Sequence, residues 1–168
     1  MLSRSTTWAV ALAALAVALG AVPVAAAAPP TPPNAVRQFL TEPQFVLSMP
    51  DEGGAWTLWS GTLAGDVWWV LSAPRASTVG GAACPPTSRV LTVCFENVVW
   101  GRNVLVGRVG PRAATVKAFD GEGRRLRSVR RGGAYLAVAR GRPELVTIVA
   151  RDREGRVVAR KTRDYRTR

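Results

Sequence analysis

Four carboxylates, Asp51, Glu52, Asp66 and Glu96, could in principle serve as the paired acid and base of glycoside cleavage. Their spacing selects no pair, and loop acids of this kind are commonly solvated turn residues. The 168 residues include no histidine, which excludes Ser-His-Asp and Cys-His arrangements, an imidazole base and a His-ligated metal. No Walker or dinucleotide glycine pattern occurs. Cys84 and Cys94 fall short of a zinc ligand set and lack C-x-x-C spacing, so in an oxidising compartment they are expected to form a disulfide. The inventory points away from an enzyme and implies neither cofactor nor metal.

Charge is the stronger signal. Residues 30–101 hold three Arg against five acids, whereas residues 102–168 hold nineteen Lys and Arg against six acids, giving −2 and +13. A field of that sign attracts anionic partners, and salt screens it. The densest cluster, Arg124, Arg125, Arg127, Arg130 and Arg131, supplies the candidate anion contacts, although a regular strand places Arg127 on the face opposite Leu126 and Ser128. The competing reading is a solvated face, in which Arg stems cover apolar surface while their heads stay in water. Anionic cell-wall polymers or lipid headgroups are the favoured partners. Nucleic acid is disfavoured, because the basic half offers only Phe119, Tyr135 and Tyr165 for stacking bases.

Beyond the N-terminal segment, the tryptophans lie elsewhere, at Trp56, Trp59, Trp68, Trp69 and Trp100. Trp68 and Trp69 are adjacent, so in a strand they point to opposite faces and at most one enters a given core layer. The pair is either a candidate aromatic binding surface, for a sugar ring or a protein partner, or the mark of a central strand covered on both faces.

These side chains must be positioned by β structure. The pattern T-[VI]-x-A-x-D-x-E-G-R occurs at Thr115–Arg124 and again 32 residues later at Thr147–Arg156. In each copy β-prone residues run into an Asp-rich turn with a glycine, the signature of a hairpin. The Asp-x-Glu-Gly turns also resemble the start of a calcium loop, but later ligands are missing and the flanking arginines oppose a cation. Nine strands are predicted: 56–62, 67–72, 90–95, 104–109, 115–119, 125–129, 135–139, 145–150 and 156–161. A short amphipathic helix is predicted from Asn34 to Glu42, capped by Asn34 and packing Val36, Phe39 and Leu40. Strands at roughly ten-residue spacing predict an all-β antiparallel fold, an immunoglobulin-like sandwich or a small barrel, with that helix at its N-terminus.

Residues 1–28 have the order of a secretory signal: Arg4, an apolar core from Trp8 to Leu19, and small residues ending at Ala28. The alternative is an uncleaved membrane anchor. Pro29–Pro33 reads as an extended linker and residues 34–168 as a single β-rich domain. The segments Gly107–Val116 and Ala150–Val158 resemble the C-terminal half of small exported actinobacterial proteins. In those proteins a G-x-V-x-P strand entry precedes hairpins ending in A-x-D-x-x-G-R. The resemblance implies an exported β-sandwich-like domain and brings no catalytic residues. The resulting expectation is a secreted or extracytoplasmic, non-enzymatic β-sandwich presenting a basic surface to the cell envelope. Its alternatives are a binding module that uses the Trp-rich half and a carboxylate-dependent hydrolase.

Overall fold

The computed structural model describes residues 28–166, with 77–79 described by backbone alone; residues 1–27, on which the expected secretory signal falls, lie outside them. A short helix, α1 (Asn34–Phe39), leads into β1 (Thr41–Asp51), β2 (Gly54–Leu63), β3 (Asp66–Ala73) and β4 (Ala76–Ala83), which form a four-stranded antiparallel sheet in chain order. There follow β5 (Leu91–Val99), β6 (Arg102–Val109), β7 (Thr115–Asp120), β8 (Arg125–Arg131), β9 (Ala134–Arg140), β10 (Leu145–Arg151) and β11 (Val157–Asp164). These seven strands make a second sheet in the order β11-β10-β7-β8-β9-β6-β5. Because β10 returns beside β7 and β6 lies beside β9, two Greek keys overlap on the β7–β8–β9 meander. The predicted all-β sandwich is therefore present, divided into four and seven strands. No helix among the described residues is long and apolar enough to cross a membrane.

The seven-stranded sheet is curved, and its edges approach one another. Tyr165, just beyond β11, donates its hydroxyl to Glu96 on β5 at 2.9 Å, and Arg163 lies 3.7 Å from the same carboxylate. Its concave face encloses Leu105, Val116, Ala118, Tyr135, Ala137, Val146, Ile148 and Ala150. On the convex side the alternate residues Val104, Val106, Ala134, Leu136 and Val138 pack against Leu47, Met49, Trp56, Leu58, Trp69 and Leu71 of the smaller sheet. Strands β6 and β9 are thus buried on both faces, which explains why Val104-Leu105-Val106 and Tyr135-Leu136-Ala137-Val138-Ala139 are uninterrupted apolar runs. A third, smaller core on the far side of the four-stranded sheet joins Val36 and Leu40 to Trp59 and Val70.

The helix differs from its prediction. It spans six residues, its N-cap is Pro33, and the Asn34 side chain accepts a hydrogen bond from Arg37 instead of capping. Val36 and Leu40, one turn apart, face the core, while Phe39 is turned outward; Glu42 already belongs to β1. Two strands were not predicted. Strand β1 carries Pro43 and Pro50, which an edge strand tolerates because its outer N–H row needs no partner. The other, β4, is also an edge and is made largely of small residues, so it lacks the β-branched run that marks most strands.

Cys84, following β4, is bonded to Cys94 on β5, with Cα atoms 5.4 Å apart. The bridge joins neighbouring edges of the two sheets. Close approach is also built in at Gly107 of β6, which pairs with Tyr135. A Cβ there would fall 2.0 Å from the Thr92 carbonyl oxygen and 2.5 Å from the Tyr135 hydroxyl. Neither neighbour can yield without breaking a strand pairing or moving a buried ring. Gly107→Ala is therefore expected to destabilise the protein by about 3 kcal/mol, read from urea unfolding. A loss under about 0.5 kcal/mol, the range of an ordinary surface change, would show that β5 and β6 are not so closely apposed.

Candidate functional site

The repeated segments form equivalent hairpins, β7–β8 and β10–β11. In the first, Asp120 Oδ1 accepts from the backbone N–H groups of Glu122 (3.0 Å) and Arg124 (2.8 Å), while Arg124 Nε donates to Oδ2 at 2.7 Å. In the second, Asp152 Oδ1 accepts from the Arg156 N–H at 2.8 Å and Oδ2 from Arg156 Nε at 2.8 Å. Gly123 and Gly155 have φ of 79° and 83°, the left-handed conformation this turn requires. The Arg124 hydrogen bond to Asp120 outweighs partial desolvation and holds that carboxyl below its ordinary range. Turn formation thus accounts for the conserved spacing of Asp, Gly and Arg within the repeat.

The register then relates the copies by a local two-fold axis. Thr115 pairs with Arg151, Phe119 with Thr147, and the central Lys117 with Val149. With β8 and β11 on either side, the convex face acquires cross-strand rows. One row reads Lys117–Val149–Arg160; the next reads Arg125–Phe119–Thr147–Thr162. A third contains Thr115, Arg151 and Val157. No residue in these rows is acidic. Val149 is only 5% exposed although it lies on this outer face, as expected if the stems of Lys117 and Arg160 cover it from both sides. Lys117, Arg125 and Arg160 form no ion pair with any described residue. Neighbouring cations stand roughly 7–10 Å apart across the strands. The smaller sheet covers β6 and β9, and its β1 reaches β8 at Arg127 and Arg131, leaving β7, β10, β11 and the Arg125 end of β8 open.

The five arginines singled out from the sequence do not share this surface. Arg124 is tied to Asp120 and to Glu122, 2.9 Å away. Arg125 belongs to the basic rows. Arg127 donates to Asp51 at 2.9 Å and also to the Pro50 carbonyl. Arg130 lies on the opposite face of β8 beside Arg112 and Arg153, and Arg131 stacks over the Phe45 ring at 5.2 Å. Lys117 and Arg160 lie far apart in the sequence and meet only through β7–β10–β11 pairing. The internal repeat was the signal that could have located them, since aligning its copies antiparallel places Lys117 on the axis. Trp69 is buried, with the Arg108 guanidinium 4.5 Å above its ring, and Trp68 packs partly buried against the helix-side core. Both faces of β3 are therefore covered. Burial lowers the Arg108 pKa, and Arg108 Nε donates to the Cys84 carbonyl at 2.8 Å.

Among the four carboxylates, Asp51 is buried between the sheets. Its side chain is 2% exposed and accepts from Trp56 Nε1 at 2.7 Å, from Arg127 at 2.9 Å, from the Glu52 N–H at 2.9 Å and from Arg102. Burial alone would raise its pKa, but the Trp56, Arg102 and Glu52 hydrogen bonds and the Arg102 charge outweigh it and hold the pKa at about 2. Such a carboxylate carries no proton near neutral pH and so cannot act there as a general acid. Glu96 is held by Tyr165 and Arg163, and Asp66 is exposed at the start of β3. Among the described residues no three or more His, Cys, Asp or Glu are grouped to hold a metal ion. Searches against protein-family models, curated proteins and solved structures found no match.

The folded-state pKa of Asp51 lies below its unfolded value, so its stabilising effect is fully present above about pH 4 and is lost as pH falls toward 2. Asp51→Asn should lower stability by at most about 2 kcal/mol at neutral pH, because solvent reaches Arg127 and screens part of the pairing. In urea unfolding from pH 7 to 2, the gap between wild type and variant should close below pH 4. A pH-independent gap would assign the effect to packing.

Proposed function

We propose that the protein is an extracytoplasmic, non-enzymatic binding domain whose β8–β7–β10–β11 face takes an anionic cell-envelope polymer. The observation that carries this reading is the acid-free set of rows holding Lys117, Arg125 and Arg160, three cations without counter-ions in the described chain. A merely solvated face would more often mix both signs, because opposite charges across strands stabilise the pairing and like charges weaken it. Here the repeat fixes like charges within reach of one another.

The chemistry suits a repeating polyanion. An extended chain of phosphates or carboxylates can follow the rows, with guanidinium and ammonium groups replacing its counterions and threonine hydroxyls donating to its oxygens. The Cys84–Cys94 bridge fits an oxidising compartment outside the cytoplasm, and the signal-like N-terminus would deliver the chain there. Attraction of this kind gives affinity that falls steeply with salt.

Co-sedimentation of the protein with purified cell walls across a salt series tests the assignment. Combined Lys117→Ala, Arg125→Ala and Arg160→Ala substitution should weaken binding at least tenfold, and make the slope of log K against log salt shallower by about 2–3. Removing the same charge at the exposed Arg89, Arg112 and Arg153 should have a much smaller effect. Equal losses in the two triple variants would reduce the interaction to net charge. Unchanged binding in the first would remove the face from the mechanism.

A further inference from the structure

The β5–β6 hairpin turns through Trp100 and Gly101, whose φ angles of +49° and +69° are both left-handed. Two-residue turns of this kind favour Asn-Gly, and a bulky residue in the first position is strained because its Cβ crowds the backbone. Trp100 nevertheless occupies that position and is 58% exposed. Neither the local backbone nor burial favours tryptophan there, so its presence calls for another cause.

Trp100 borders a cavity of about 360 Å³ whose other walls include Trp56, Arg75, Glu52 and Arg102. Two of these groups, Trp56 and Arg102, are held in place before any ligand arrives. Buried Asp51 fixes both the Trp56 indole and Arg102, and Arg102 Nη2 lies 3.7 Å from Glu52. Arg75 lies against the β1–β2 turn, close enough that a Cβ on Gly53 would meet its Nε at 3.0 Å. The cavity thus combines an exposed indole, guanidinium donors and a carboxylate acceptor. Its lining holds equal numbers of acids and bases, Asp51 and Glu52 with Arg75 and Arg102, while Arg127 and Arg140 reach the two acids from outside it.

A balanced set of donors and acceptors beside a flat aromatic face fits an uncharged ring that carries hydroxyls on its rim and C–H groups on its face. We propose that this cavity binds a pyranose unit of a neutral saccharide, stacked on Trp100, with its hydroxyls hydrogen-bonded by Arg75, Arg102 and Glu52. The site uses none of the cations of the basic face and rests on stacking and hydrogen bonding, so the two readings can fail separately.

The test is titration of the protein with cellotetraose, maltotetraose and chitotetraose at ~0.5 M salt, where charge attraction is screened beyond about 4 Å. Tryptophan indole N–H resonances report binding, and thermal unfolding reports integrity. At least one tetrasaccharide should shift the Trp100 resonance saturably, with a dissociation constant on the order of 1 mM. Trp100→Asn should fold with an unchanged or higher Tm, since Asn-Gly suits the turn, yet bind at least tenfold more weakly. Arg75→Gln should weaken binding without lowering Tm. The proposal is overturned if none of the three sugars shifts the Trp100 resonance, if Trp100→Asn binds as wild type does, or if Trp100→Asn loses substantial stability and so reveals a structural tryptophan.

Discussion

Strands β6 and β9 lie between two cores, and the rest of the fold follows from that. Val104, Val106, Leu136 and Val138 look toward the four-stranded sheet, while Leu105, Tyr135 and Ala137 look into the curved seven-stranded one. A strand that is apolar on both faces cannot sit at an edge or face water, so something must cover each side. Curvature of the larger sheet covers one side, bringing β11 back toward β5, and the smaller sheet covers the other. The tight passage of Gly107 beneath Tyr135 is a local consequence of packing both sides at once.

Apolar burial holds the layers together without setting how they align, and polar contacts at two places supply that alignment. At one, Asp51 of β1 gathers Trp56 of its own sheet with Arg102 and Arg127 of the other. At the second, Arg108 of β6 stacks on Trp69 of β3 and donates to the Cys84 carbonyl beside the disulfide. A buried ion pair contributes little net stability after desolvation, but misalignment would leave Asp51 buried and unpaired, which is far more costly. The pairing therefore acts mainly to exclude other alignments.

Much of the architecture was legible because its signals are local. Turn chemistry marked both hairpins, since the Asp120 and Asp152 carboxylates bond to residues two to four positions away. Alternating or continuous apolar runs marked the central strands. Edge strands β1 and β4 escaped because prolines and small residues are tolerated where one side of the ladder has no partner. The site was less legible for a related reason. Density of arginine along the chain is not density in space: in β8 the pleat alone sends Arg127 toward Asp51 and Arg130 to the other face. The basic rows depend on the pairing of β7 with β10, whose partners in these rows lie 28 to 36 positions apart (Phe119 with Thr147, Lys117 with Val149, Thr115 with Arg151), and only the repeat carried information about that pairing.

The segregation of charge along the sequence can be resolved into two different uses of arginine. Acids of the N-terminal half face the basic half across the sheet interface, where Asp51 and Glu52 engage Arg102, Arg127 and Arg140. Most acids of the C-terminal half remain within their own turns, as with Asp120 and Arg124, Asp152 and Arg156, and Asp164 and Arg166. Once those pairings are made, few carboxylates remain to neutralise the surface. The uncompensated charge is not spread evenly, because turn acids sit at strand ends while the middle of the β7–β10 face has none. Placing the acids in turns thus serves hairpin formation and, by the same geometry, leaves the sheet centre positively charged.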